Sequence, residues 1–388
     1  MASLTREIFT VPLDRLRTRT SMKWRRYDPD VLPLWVAEMD CQLAEPVARV
    51  LHDAIDRGDT GYPNGPVYEE AVTRFAADAW GLALDPVRIG LMPDVMGGLR
   101  NALEAVTAPG DHVVVNPPVY HPFFSAVTTV GRQVMTVDMT ADGRLDLPAL
   151  EAAFAGESGP RPTAYLLCSP HNPTGARHTR EELAAVAASA RRYGVRVIVD
   201  AIHAPITDPG VDYVPYLSVP GAEDALVLFS ASKAWNLAGL KAAVMIAGPE
   251  ATRDLAAVPY DAARGAASHL AVLSHSAALD LARDWQTQSR AEIAANRALL
   301  ADLVTATLPG AELMAGQATY MAWLDCRGLG LGNPARHFLN QARVALNPGP
   351  AFGKPGAGHV RINLATSPEI LTAAVARMAD SLEVVSRA

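Results

Sequence analysis

Lysine is scarce in this 388-residue chain: of 34 basic residues only Lys23, Lys233, Lys241 and Lys354 are lysine, and the other 30 are arginine. Any chemistry that needs an amine able to lose its proton therefore has four candidates, because guanidinium stays charged in proteins. Cysteine is scarcer still. Cys41, Cys168 and Cys326 form no Cys-x-x-Cys pair and are odd in number, which fits a reducing compartment, the cytoplasm by default, better than a disulfide framework. No run of about 18 uncharged apolar residues occurs, and the opening MASLTREIFTVPLDR has no apolar core of signal-peptide type, so neither a membrane span nor a secretory signal is expected. An excess of positive charge is also missing. Thirty-four basic residues stand against 41 acidic ones, a formal charge of -7, which argues against general nucleic-acid or anionic-membrane binding. Repeats and low-complexity tracts are absent, so a solenoid or a long linker is not expected.

What is present is an ordinary globular composition, 49% hydrophobic and 19% charged, with 28 Gly and 29 Pro for long loops. Short apolar, β-branched runs recur at 112–116, 133–139, 164–168, 195–200, 225–230 and 242–247, with helical stretches such as Arg180 to Tyr193 between them. Strands so continuously apolar have both faces covered. The pattern predicts an α/β fold with a largely parallel sheet sandwiched by helices, and the large domain is expected over residues 45–285 with a mainly parallel seven-stranded sheet, one strand more than the runs mark. A smaller α+β domain is expected from residues 286–388, completed by the N-terminal segment 1–44. The Ala-rich stretch from about Ala266 to Leu308 reads as helix, and 319–324 and 359–365 as strands.

Open parallel sheets bind ligands beyond the carboxyl ends of their strands. Four such ends carry candidate chemistry. Lys233 in SASKAWNLAGLK follows the run ending at Phe229; a lysine held against apolar surroundings loses pKa and becomes available as a neutral amine for Schiff-base chemistry. Taken singly it reads as a surface lysine. Asp200 ends VRVIVD, where a carboxylate is costly without a cationic partner; a helix cap is the plainer account, a pyridinium nitrogen the other. Asn172 in SPHNPTG reads alone as a turn, and Tyr120 in NPPVYHPFF as a core aromatic that could also stack on a flat ring. Taken together, four signals at successive strand ends assemble a pyridoxal phosphate site.

At this point the sequence resembles fold-type I, aspartate-aminotransferase-like pyridoxal phosphate enzymes, and within them the cystathionine β-lyase group that includes the maltose-regulon modulator and bacterial C–S lyases. The segments that carry the likeness are RTRTSMKW (17–24), LPLWVAEMD (32–40), TGYPNG (60–65), PPVYHPFF (117–124), LLCSPHNPTG (166–175), VDAIHAPI (199–206), SASKAWNLAGLK (230–241) and VALNPGPAFGKPGAGHVRINLAT (344–366). The resemblance implies that Lys233 carries the Schiff base, that Asp200 pairs with the pyridine nitrogen, and that Asn172 and His203 lie near the phenolic oxygen. It implies that Tyr120 stacks on the ring. Backbone N–H groups of Val95 and Met96, the hydroxyls of Ser230 and Ser232, and Lys241 would hold the phosphate. Tyr62 would reach the phosphate of the neighbouring subunit, making a homodimer with shared sites, and would border the substrate together with Ala37. Arg361 would grip the carboxylate of a small amino-acid substrate, although taken alone it reads as a surface arginine. Four departures from the group's usual pattern bear on substrate and cofactor affinity: Glu38 for Asp, Ala201 for Glu, Asp94 for a phosphate-loop Gly, and Arg25 for an acid.

The activity implied is β-elimination at a carbon–sulfur bond of a cysteine-derived amino acid. An aminotransferase shares the early chemistry and is the rival, with a specialised-metabolism reaction on an altered substrate as a variant. The maltose-regulon relative implies one role of a different class, contact with a transcription activator.

Overall fold

The computed structural model describes residues 6–157 and 159–386, so residues 1–5 of the expected N-terminal segment and 387–388 of the C-terminal one lie outside the described residues. Seven strands form the main sheet: β1 (Ile89–Met92), β2 (His112–Val115), β3 (Gln133–Thr136), β4 (Ala164–Cys168), β5 (Arg196–Asp200), β6 (Leu226–Phe229) and β7 (Ala243–Ala247). Their spatial order is β1-β7-β6-β5-β4-β2-β3. Only β7 runs against its neighbours, so six of the seven strands point their carboxyl ends the same way. The apolar runs mark six of these strands; β1 is the one they do not mark, because Gly90 interrupts it. That glycine has a packing reason, since a Cβ there would come within 2.8 Å of Leu255 Cδ1.

The strand period of two divides each run between two cores. In β4, Tyr165 and Leu167 pack on one face with Val197 and Val199 of β5, while Leu166 and Cys168 pack on the other with Ile198. Helices α1 (Glu45–Asp56), α2 (Val67–Trp80), α5 (Leu147–Ala155), α6 (Arg180–Tyr193) and α7 (His269–Leu281) cover the first face. Helices α3 (Val95–Val106) and α4 (Pro122–Thr129) cover the second. The edge strand β3 escapes the rule, and its Gln133 and Thr136 are exposed. Helix α6 starts and stops where its sequence says it should: Thr179 and Glu182 form a capping box, and Gly194 ends it at φ 71°, where a side chain would be strained.

The Ala-rich stretch is two helices rather than one, α7 and the 25-residue α8 (Arg283–Thr307), broken at Ala282. Helix α8 crosses the expected 285/286 boundary without a break; its Ile293 packs on the large core and its Leu300 on a separate one. That second core gathers Val11, Trp24 and Leu34 from the N-terminal segment around an antiparallel sheet, in spatial order β10-β11-β9-β8, of β8 (Glu312–Leu313), β9 (Met321–Asp325), β10 (Asn347–Pro348) and β11 (His359–Asn363), closed by α9 (Pro368–Ser386). The N-terminal strand Leu32–Pro33 pairs in parallel with Val344–Ala345, which lays residues 35–40 across the carboxyl ends of the main sheet. Among the described residues no helix is long and apolar enough to cross a membrane.

Candidate active site

The shared strand direction brings the polar residues that follow β1, β4, β5 and β6 around one cavity of about 360 Å³. Ala37, Val95, Met96, Tyr120, Asn172, Asp200, His203, Ser230, Ser232, Lys233 and Lys241 all line it. Two expected residues do not. Tyr62 is 88% exposed on the surface. Arg361, on β11 of the small sheet, is 3% exposed and reaches the cavity through Asn172, whose Oδ1 accepts from its Nη1 at 3.0 Å. The plain reading of Arg361 as a surface residue is therefore wrong. Its Nη2 donates to Trp35 O at 3.1 Å, its Nε–H is buried without a partner among the described residues, and its guanidinium lies 5.0 Å from the ring of Phe352.

Charge in this site is controlled by burial. Lys233 Nζ donates to Ala37 O at 3.0 Å and is part-buried at the cavity wall, and the desolvation lowers its pKa to about 8; Arg361 pushes the same way, against Asp200 and Glu38. The plain reading of Lys233 as a solvated surface lysine is likewise excluded. Asp200, the last residue of β5, is raised to about 6 by burial, against the Ile202 N–H at 3.0 Å and the charge of Lys233. Desolvation also keeps the His203 imidazole neutral, lowered to about 3, with Lys233 and Arg361 adding to the effect, and its Nδ1 has no partner among the described residues. Arg361 itself falls to about 10 through burial, opposed by Tyr120 and Tyr320. A buried carboxylate facing an amine and an unpartnered imidazole is an arrangement that wants a polar, flat ligand.

The phosphate end is built differently from the expectation in two respects. Ser230 Oγ donates to Ala242 O at 2.7 Å and accepts from Ser232 N–H at 3.1 Å, so its proton is committed within the protein. Asp94 caps α3, accepting from Gly97 N–H at 2.7 Å, and pairs with Lys241 Nζ at 2.8 Å. Burial raises the Asp94 pKa, but the Lys241 and Gly97 hydrogen bonds outweigh it and the net shift is downward. The acid at this helix start therefore stays ionised with its own counter-ion. Ala201 is buried in the sheet, where its N–H donates to Leu228 O at 2.9 Å, Glu38 takes a hydrogen bond from the Ser21 hydroxyl, and Arg25 is exposed.

Arg100, Cys168 and Ile202 line the cavity without having been singled out from the sequence. Arg100 follows Met96 at the i+4 spacing of α3, which is the signal that could have found it. The sequence matches the family described as aminotransferase class I and II over residues 30–378. The chain belongs to the aminotransferase class I and II family. A Mycobacterium leprae protein provisionally named a cystathionine beta-lyase is 50% identical over 389 residues, 95% of this chain and 96% of that protein. The cystathionine beta-lyase of Corynebacterium glutamicum is 32% identical over 375 residues, 95% of this chain and 99% of its own. A crystal structure from Corynebacterium diphtheriae, provisionally described as a PLP-dependent beta-cystathionase, superposes with a TM-score of 0.92 at 34% identity, covering 97% of this chain and 99% of that one. For a family member the residues around the cavity suit pyridoxal phosphate: a carboxylate for a ring N–H, an amide and an imidazole for the phenolic oxygen, and a helix start with a lysine for the phosphate.

Proposed function

We propose that this protein is a pyridoxal phosphate-dependent carbon–sulfur lyase that converts a cystathionine-like or other cysteine-derived amino acid, with one water, to a thiol, pyruvate and ammonia. The observation that carries the reading is the desolvated Lys233 amine beside the buried Asp200 carboxylate, one amide away from Arg361. When bound, pyridoxal phosphate supplies an electron sink for negative charge at the substrate Cα.

The chain does the rest. Lys233 is the amine that anchors the cofactor and, once freed, takes the Cα proton on Nζ; a pKa near 8 leaves a useful neutral fraction at neutral pH. Asp200 keeps the ring nitrogen protonated, which the cation's charge makes favourable for an otherwise costly carboxylate. Asn172 and His203 would face the phenolic oxygen, and Tyr120 would cover the ring. Val95 and Met96 N–H groups, Ser232 and Lys241 would hold the phosphate, with Ser230 acting through the Ser232 N–H. Arg361 binds the substrate carboxylate with its unpartnered Nε–H and remaining Nη protons, while its bond to Asn172 ties carboxylate binding to the ring. Departure of the thiolate from Cβ completes the elimination. Ala37 borders the substrate, and Tyr62, exposed in one chain, completes the phosphate site of a second copy in a homodimer.

Purified protein loaded with pyridoxal phosphate and given cystathionine or an S-alkyl cysteine is expected to release pyruvate and thiol in equal amounts. A keto acid retaining the sulfur, formed only with added 2-oxoglutarate, would replace this reading with an aminotransferase.

A further inference from the structure

Five successive backbone carbonyls, Trp35 to Met39, each accept a hydrogen bond from a side chain elsewhere in the chain. Arg361 Nη2 reaches Trp35 O at 3.1 Å, Asn363 Nδ2 reaches Val36 O at 2.8 Å and Glu38 O at 2.7 Å, Lys233 Nζ reaches Ala37 O at 3.0 Å, Lys23 Nζ also reaches Glu38 O at 2.9 Å, and Met39 O accepts from Asn236 Nδ2 at 3.1 Å and Arg19 Nη1 at 3.4 Å. Loops ordinarily give these groups to water or to neighbouring backbone. Here a strap over the cavity is tied at every residue, and two of its ties are the proposed reactive amine and the proposed carboxylate-binding arginine. Asn236 also accepts from Met39 N–H at 2.8 Å, and does so from φ 57°, a conformation asparagine tolerates better than most.

The strap is anchored beneath by Lys23 and Asp40, 2.8 Å apart with side chains 0% and 1% exposed. Trp24 Nε1 donates to Asp40 Oδ1 at 3.2 Å, and Asp40 N–H donates to Ala365 O at 2.9 Å. Neither member of the pair lines the cavity. A buried ion pair is a weak source of net stability, since desolvation opposes the attraction; its best use is to fix an arrangement.

We propose that Lys23 and Asp40 are a positioning pair, which at the Glu38 carbonyl, shared with Asn363, fixes the 35–40 strap so that the Ala37 carbonyl holds Lys233 Nζ and the strap limits water at that amine. This deepens the reading of Lys233 as the reactive amine and rests on it. The groups charged toward Lys233 are Asp200 and Glu38, which favour its protonation, and Arg361, which opposes it; burial is the largest influence. Loosening the strap admits water and relieves that influence.

The test uses full-length protein freed of cofactor, as wild type, Lys23→Met and the double variant Lys23→Met/Asp40→Leu, which leaves no unpaired buried charge. Only four lysines are present, so mass spectrometry resolves acylation of Lys233 against pH, with exposed Lys354 as internal reference. The midpoint for Lys233 is expected to rise by roughly half a pH unit or more in the double variant while Lys354 stays put. In the loaded enzyme kcat should fall with the same shift in its pH profile. A folded double variant with an unmoved midpoint overturns the positioning role. A Lys233→Ala variant that keeps the cofactor's absorbance band and turnover overturns the underlying reading instead.

Discussion

Asp200 works against the cofactor-free fold and for the loaded one. Its folded pKa of about 6 lies above the ordinary 3.8, so its contribution to stability is greatest below pH 3.8 and is lost as pH rises through 6. At pH 8 the whole penalty applies, a shift worth about 3 kcal/mol at most. Asp200→Asn keeps the acceptor for Ile202 N–H and removes the charge. Cofactor-free Asp200→Asn is therefore expected to melt a few degrees above wild type at pH 8, with the gap narrowing below pH 6 and closing only near pH 3.8, while loaded activity falls at least about a hundredfold. A lower melting temperature for the variant at pH 8 would contradict the argument. Lys233→Arg separates charge from chemistry at the neighbouring position. Guanidinium keeps the cation but cannot deprotonate, so turnover and the cofactor's absorbance band should both disappear with folding intact by circular dichroism. Asp200 was legible in the sequence because it ends an apolar run at a strand's end, where burial follows from the run itself, whereas Lys233, three residues beyond its run, reads singly as a surface lysine and became legible only beside the other strand ends. Arg361 was legible only through resemblance, since nothing local in HVRINLA says that a second sheet will bury it against Asn172.

At the scale of elements, the start of α3 is where this chain departs most from a plain phosphate cradle. Asp94 spends one helix N–H through Gly97 and holds Lys241 in an ion pair. A phosphate arriving there meets a carboxylate at the positive end of the helix dipole and has to share the lysine. Asp94→Asn retains a good cap and removes the competing charge, so pyridoxal phosphate should bind roughly threefold tighter or more by absorbance titration. Equal or weaker binding would mean that the carboxylate points its charge away from the phosphate. Asp94→Ala, by contrast, loses the cap and should cost about 1 kcal/mol of stability. The helix expected over Arg180 to Tyr193 matches α6 at both ends. The strap over the cavity stayed hidden for a physical reason: its ties run between backbone carbonyls and side chains as far apart as Trp35 and Arg361, and backbone acceptors leave no trace in residue type.

For the whole molecule, folding depends on keeping a set of histidines neutral. His171 and His203 are lowered to about 3, and His178 and His275 to about 4, in each case chiefly by burial. All are depressed below the ordinary 6.5, so the stability they lend is complete above pH 6.5 and is lost as pH falls toward 4. Asp200 runs the other way across pH 6 to 3.8, binding one proton in the folded state that the unfolded chain has released. Near pH 5 the unfolded chain thus takes up four protons on these histidines against one on folded Asp200, a net of about three, or roughly 4 kcal/mol for each pH unit. Against total stabilities on the order of 5–15 kcal/mol the histidines win early. Cofactor-free protein should hold its melting temperature from pH 8 to about 6.5 and then lose it steeply, unfolding between roughly pH 4 and 5 by circular dichroism. His275 tests the account away from the cavity, since its ring lies between Leu240 O at 2.9 Å and the Tyr68 hydroxyl at 3.3 Å. His275→Asn should lower stability at pH 8 yet flatten the acid limb by close to one proton, about 1.4 kcal/mol per pH unit. An acid limb of unchanged slope in that variant would place the acid sensitivity in the carboxylate ion pairs of the surface rather than in the buried imidazoles.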